Sequence, residues 1–125
     1  MIQSYLDASR EQFDAFMALP INGPLKMVNL LKFKHYVEET GKSGEKTYQD
    51  YLKATTPFFA QVNGKISFMA KAEFSLIGPE EKEWDMVLIA EYVSKADFVK
   101  MVTMEGYPSH LRKQALADSR LIFCQ

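Results

Sequence analysis

Residues 25–34, LKMVNLLKFK, constrain this chain more than any other stretch. In an extended backbone successive side chains point to opposite faces. Leu25, Met27, Leu31 and Phe33 then share one face, while Val28 and Leu30 share the other. A strand that is apolar on both faces has to be covered on both. Helices can cover one face in a chain of this length. The other needs a second sheet, which a partner subunit can supply. Asn29 interrupts the run with one amide, and burying an amide without partners costs roughly 1–3 kcal/mol. The same two-sided pattern recurs over residues 84–93, where Met86, Leu88 and Ala90 oppose Val87 and Ile89, with Glu91 as the interior charge.

The remaining segments are arranged around these two strands. Residues 3–19 carry Leu6, Phe13, Phe16 and Met17 at helical spacing and end at Pro20, which predicts an amphipathic helix. Asn22-Gly23-Pro24 turns the chain into the first strand. Residues 35–46, HYVEETGKSGEK, read as a mobile loop. A second helix is expected over 47–62, with a stripe of Tyr48, Tyr51, Leu52, Thr55, Phe59 and Val62. Pro57 should kink or break it, and Gly64 suits a left-handed cap. Residues 65–77 alternate as a half-buried antiparallel strand, followed by the acidic turn Gly78-Pro79-Glu80-Glu81. Ser94 opens a short helix that buries Phe98, Met101 and Val102. A last helix over 109–117 leads into a strand over 119–124.

After the first helix the order is strand, helix, strand, strand, helix, strand. That is the α+β ferredoxin-like βαββαβ pattern, here with an added N-terminal helix. Its usual sheet places the first and third strands at the centre, and those are the two strands with apolar residues on both sides. The expectation is one domain over residues 1–125, pairing as a homodimer whose sheets form a dimeric α/β barrel. Such an interface would bury on the order of 2,000 Å² or more.

Charge excludes several partners. The chain has 16 acidic and 15 basic residues and a net charge of -1, so no single-sign field draws in nucleic acid or an anionic membrane. The N-terminal residues MIQSYLDASREQFD are charged and unlike a signal peptide, and no apolar run reaches spanning length, so the sequence reads as cytoplasmic. Cys124, the single cysteine, has no intrachain partner and should end a packed strand, while His35 and His110 are too scattered for metal ligation.

Four pieces match one family as a set: MVNLLKF; a tyrosine-rich helix followed by Pro57 and Gly64; IGPEEKEWDMVLIAEYVSKADF; and EGYPSHLRKQALADSRLI. Over residues 24–124 the chain resembles the DUF1330 family of the dimeric α/β-barrel superfamily. That superfamily includes cofactor-independent monooxygenases of the antibiotic-biosynthesis type. The resemblance implies the same fold and dimer and, by analogy, an asparagine on an early strand in contact with substrate. It implies no cofactor; haem would require a well-placed proximal histidine.

The residues that could carry chemistry are few. Asn29 either contacts a ligand or ties down a neighbouring element. Trp84 offers a flat wall with one N–H donor, or packs at the barrel mouth; Asp85 beside it suits a turn or cap contact. Tyr107, His110 and Arg112 cluster at the start of the last helix. His110 could act as a base near neutral pH and Arg112 could hold a carboxylate or enolate oxygen. Residues two apart do not share a helix face, so the two converge only if the segment is irregular. Arg112 or Arg120 could instead pair with Glu91. The function that follows is binding of a small apolar or phenolic molecule, with cofactor-free oxygenase or isomerase chemistry as its extension. The alternative is a non-catalytic dimeric binding or interaction module.

Overall fold

The computed structural model describes residues 3–125. The elements are α1 (Arg10–Ala18), β1 (Leu25–Phe33), α2 (Gly44–Gln61), β2 (Lys65–Lys71), β3 (Met86–Tyr92), α3 (Lys95–Val102), α4 (Ser109–Ala115) and β4 (Leu116–Cys124). The four strands form one sheet in the order β2-β3-β1-β4, antiparallel throughout. β1 and β3 are central, as their two-sided apolar pattern requires.

Register sorts the sheet into two faces. One face holds Met27, Asn29 and Leu31 of β1, opposite Ala90, Leu88 and Met86 of β3 and Phe123, Leu121 and Ser119 of β4. The helices cover it. Leu25, Leu31, Ala115 and Leu116 are fully buried there, with Tyr48, Tyr92, Met101 and Leu88 nearly so. Burying a large apolar side chain contributes roughly 1.5–3 kcal/mol, so this layer holds the protomer together. Aromatic rings meet edge-on from Phe123 to Phe16, Phe98, Tyr92 and Phe59. The other face is open in the protomer. Phe68, Ile89, Val28 and Ile122 form one row across all four strands, and Ala70, Val87, Leu30 and Arg120 form the next.

The structure corrects several local expectations. The first helix begins at Arg10, capped by Ser9, whose hydroxyl accepts from the Gln12 N–H. Residues 3–8 are not helical because Tyr5 is tied to β4: its N–H donates to Asp118 Oδ1 at 2.9 Å, and its carbonyl accepts from Ser119 Oγ at 2.6 Å. The loop after β1 folds back on itself through a Val37–Lys42 bridge. Val37 is buried at 1%, its carbonyl accepts from the Gly41 N–H, and Thr40 bonds Thr47 between hydroxyls. α2 therefore starts early, at Gly44, with Ser43 as its cap. It runs through Pro57 unbroken, and the Thr55 and Thr56 hydroxyls both donate to the Leu52 carbonyl one turn back. Asn63, not Gly64, takes the left-handed conformation at φ 54, which asparagine tolerates. Gly64 is needed for closeness, since a Cβ there would strike the Phe59 ring.

β2 ends at Lys71 rather than residue 77, because β3 offers no partner residues before Met86. All seven of its residues are exposed, not half-buried: it is an edge strand beyond the reach of the helices. Cys124 is likewise exposed at the end of edge strand β4. Glu91 pairs with Lys26, 3.3 Å away on the facing strand, and not with an arginine. Both lie on the open face, whereas Arg112 sits under the helices. Asp85 does cap a strand end, accepting from the Phe33 N–H at 2.8 Å.

Candidate functional site

Between the sheet and helices α1, α3 and α4 lies a cavity of about 830 Å³. Its apolar wall comes from Phe16, Phe98, Met101, Val102 and Phe123, placed by the helical spacing of α1 and α3 and by the parity of β4. Its polar floor is Asn29, Tyr51, Tyr107 and Arg112. Residues Tyr5 to Ala8, held along β4 by Asp118 and Ser119, form one rim.

The floor is a connected network. Arg112 Nη2 donates to Asn29 Oδ1 at 3.2 Å, and Nη1 donates to the Leu6 carbonyl at 3.4 Å. The Asn29 amide nitrogen donates to the Met27 and Leu88 carbonyls at 3.4 and 3.3 Å. Asn29 is 7% exposed and its polar atoms are matched within the protein. Tyr51 and Tyr107 share a short hydroxyl–hydroxyl bond in which either can be the donor. Arg112 is half-buried and forms no ion pair among the described residues. The neighbouring charges are already spoken for, Lys113 by Asp7 and Arg120 by Asp118. Asp7 and Arg120 also line the cavity but are paired, so Arg112 is its one charged side chain without an ion-pair partner among the described residues.

Burial drives the Tyr107 hydroxyl up to about 12, against the weaker opposing pull of its bond from Tyr51 and of Arg112. Burial likewise raises Tyr48, Tyr51 and Tyr92 further, although Arg112 beside Tyr48 and Tyr51 pulls the other way. These hydroxyls are neutral near pH 7 and serve as hydrogen-bond partners, not as bases. A tyrosine whose folded pKa lies above the unfolded value near 10 keeps its full contribution below about pH 10 and loses it as pH rises through the folded value. Unfolding free energy from urea titrations should therefore drop steeply from about pH 10 to pH 12, and Tyr51→Phe should flatten that drop. A profile unchanged by Tyr51→Phe would contradict this origin.

The structure brings Asn29, Tyr107 and Arg112 to one cavity and leaves two other candidates outside it. His110 is exposed on the first turn of α4 and is not among the lining residues. α4 is regular there, so positions two apart diverge and the imidazole cannot share the Arg112 floor. Trp84 also lies outside the lining. The Arg120 guanidinium sits 5.0 Å from its ring and 4.8 Å from that of Tyr5, so Trp84 helps fasten the N-terminal segment. Sequence reasoning missed Tyr51 as a floor residue, with Tyr48 behind it, because both fit the α2 stripe. Their hydroxyls were the available signal, since a buried tyrosine needs a polar partner.

The chain matches no protein-family model and no curated protein. Among solved structures it is similar to the RPA0582 protein of unknown function from Rhodopseudomonas palustris, with 34% identity, a TM-score of 0.90, and coverage of 98% of this chain and 96% of that one. SnoaB, a cofactor-independent oxygenase from Streptomyces nogalater, is 17% identical with a TM-score of 0.52, over 83% of this chain and 93% of that one. A dimeric ferredoxin-like protein of unknown function from Thermobifida fusca is 11% identical with a TM-score of 0.50, over 82% and 91%. These two share the fold alone. At 34% identity over nearly the whole of both chains, and with the same α+β ferredoxin-like topology, the chain belongs to the family of the Rhodopseudomonas palustris RPA0582 protein.

Proposed function

We propose that this protein binds a small, largely apolar organic anion, a carboxylate or an ionised phenol or enol, with its charged oxygen on Arg112. The observation that carries this reading is the half-buried Arg112 guanidinium, without an ion-pair partner among the described residues, at the polar floor of a cavity whose wall is apolar. A charge-assisted hydrogen bond there is stronger than a neutral one. The bonded pair of Tyr51 and Tyr107 leaves one hydroxyl proton to donate, and Asn29 holds the guanidinium in place.

The same arrangement suits cofactor-free oxygenase or isomerase chemistry, the activity class of SnoaB. In that chemistry an enolate or phenolate carries the reacting electrons, and the protein stabilises its oxygen and excludes water. The Tyr51 and Tyr107 hydroxyls, raised by burial, are not bases near neutral pH, so the substrate would arrive already ionised. The resemblance to the DUF1330 family points the same way. A non-catalytic binding module is the second reading, favoured by the complete matching of the Asn29 amide within the protein.

We further propose that two copies pair through the open sheet face, whose rows of Phe68, Ile89, Val28 and Ile122 and of Ala70, Val87 and Leu30 are apolar. The dimeric Thermobifida fusca neighbour supports this. Sedimentation at micromolar concentration should show a dimer.

Calorimetry with 1-naphthoate, 1-naphthol and naphthalene tests the anion reading. The carboxylate should bind at least about tenfold more tightly than the hydrocarbon. Equal affinity for all three would leave Arg112 no role in recognition.

A further inference from the structure

Residues 72–85 join β2 to β3 as a long excursion closed at its base by the Ala72 N–H donating to the Asp85 carbonyl at 3.0 Å. Near its start stand Phe74, Leu76 and Ile77, exposed at 83%, 88% and 95%. Three large apolar side chains within four residues, almost wholly in water, are unusual on a protomer surface. Glu73, Phe74, Ser75 and Leu76 alternate polar and apolar as a strand does, yet no strand of this protomer lies beside them.

The open sheet face poses the complementary problem. Its apolar rows, Phe68, Ile89, Val28 and Ile122 over four strands and Ala70, Val87 and Leu30 over three, project to roughly 230 Å². A stable interface needs about 800 Å² from each partner. These apolar rows by themselves are a minor part of such an interface, and the same chain carries an apolar segment left uncovered in the protomer.

We propose that residues 73–77 form a clasp that packs on a second copy of this chain, against the open face of the partner's sheet. This deepens the dimer reading above and rests on it. By two-fold symmetry each protomer gives one clasp and receives one, so both exposed surfaces are covered in a closed pair. The occupant is a second copy because one chain supplies both halves of the interface.

Two measurements test this. Leu76→Ser and Phe74→Ser should each weaken dimerisation, followed by sedimentation over a dilution series, by roughly tenfold or more. Circular dichroism should stay that of the parent, because these side chains touch little of their own protomer. In the parent, chymotrypsin should cut at Phe74 slowly while the protein is dimeric and quickly once dilution separates it. Unchanged dimerisation in both variants, or equally fast cleavage in dimer and monomer, would overturn the clasp and leave the dimer standing. A parent monomeric at every concentration would overturn the dimer and the clasp together.

Discussion

Gly44→Ala is expected to lower stability by about 3 kcal/mol, a fall in midpoint temperature of about 10 °C. A Cβ at Gly44 would lie within 2.5 Å of the Lys34 N and O atoms and closer still to the Ala115 carbonyl oxygen. All three are backbone atoms, so no side-chain rotation relieves the clash. They also hold the joint together: the Gly44 N–H donates to the Lys34 carbonyl at 2.8 Å, and the Lys34 N–H to the Ala115 carbonyl at 3.0 Å. The end of β1, the start of α2 and the α4–β4 junction meet at this point, so a shift would spread to the floor of the cavity. Gly41→Ala is the control. It has open space but φ of 68°, and backbone strain alone should cost about 1–2 kcal/mol. Urea unfolding of both variants separates the two effects. A loss at Gly44 no larger than at Gly41 would show that the joint yields.

Arg112→Ala is expected to weaken binding of 1-naphthoate by about 10- to 100-fold, the value of a hydrogen bond to a charged group at roughly 1.5–3 kcal/mol. It should also cost about 1–2 kcal/mol of stability, because Asn29 Oδ1 loses its donor in a buried site. Arg112→Lys keeps the charge, but one ammonium cannot reach both Asn29 and Leu6 as the planar guanidinium does. Its affinity should fall between those of the parent and the alanine variant. Asn29→Ala removes the group that positions the guanidinium and should weaken binding less than Arg112→Ala does. Calorimetry and thermal melts on the same samples distinguish the readings. Lost stability with unchanged probe binding in both alanine variants would remove the ligand site and favour the interaction module.

The topology was legible in the sequence because it rests on periodicity. The two-sided apolar pattern at 25–34 and 84–93 placed β1 and β3 at the centre of the sheet, and the register confirms it. Ser94 marked the start of α3, and its hydroxyl accepts from the Asp97 N–H. Element ends were less legible. Residues 3–8 and 72–77 have helix-like and strand-like patterns, but a pattern does not supply a hydrogen-bonding partner. The first segment was taken by β4, and the second found no strand beside it.

For the site, the sequence by itself determined which residues could matter: Asn29 inside an apolar strand, and a tyrosine, histidine and arginine near the last helix. Only the tertiary structure decided which of them meet. Helix geometry turns Arg112 inward and leaves His110 in solvent, whereas adjacency in the sequence makes the two look equivalent. The charge on Arg112 stays unbalanced because Glu91 lies on the other side of the sheet, opposite Lys26. That fact depends on strand parity and on the register of β1 with β3, and no local stretch of the chain contains it.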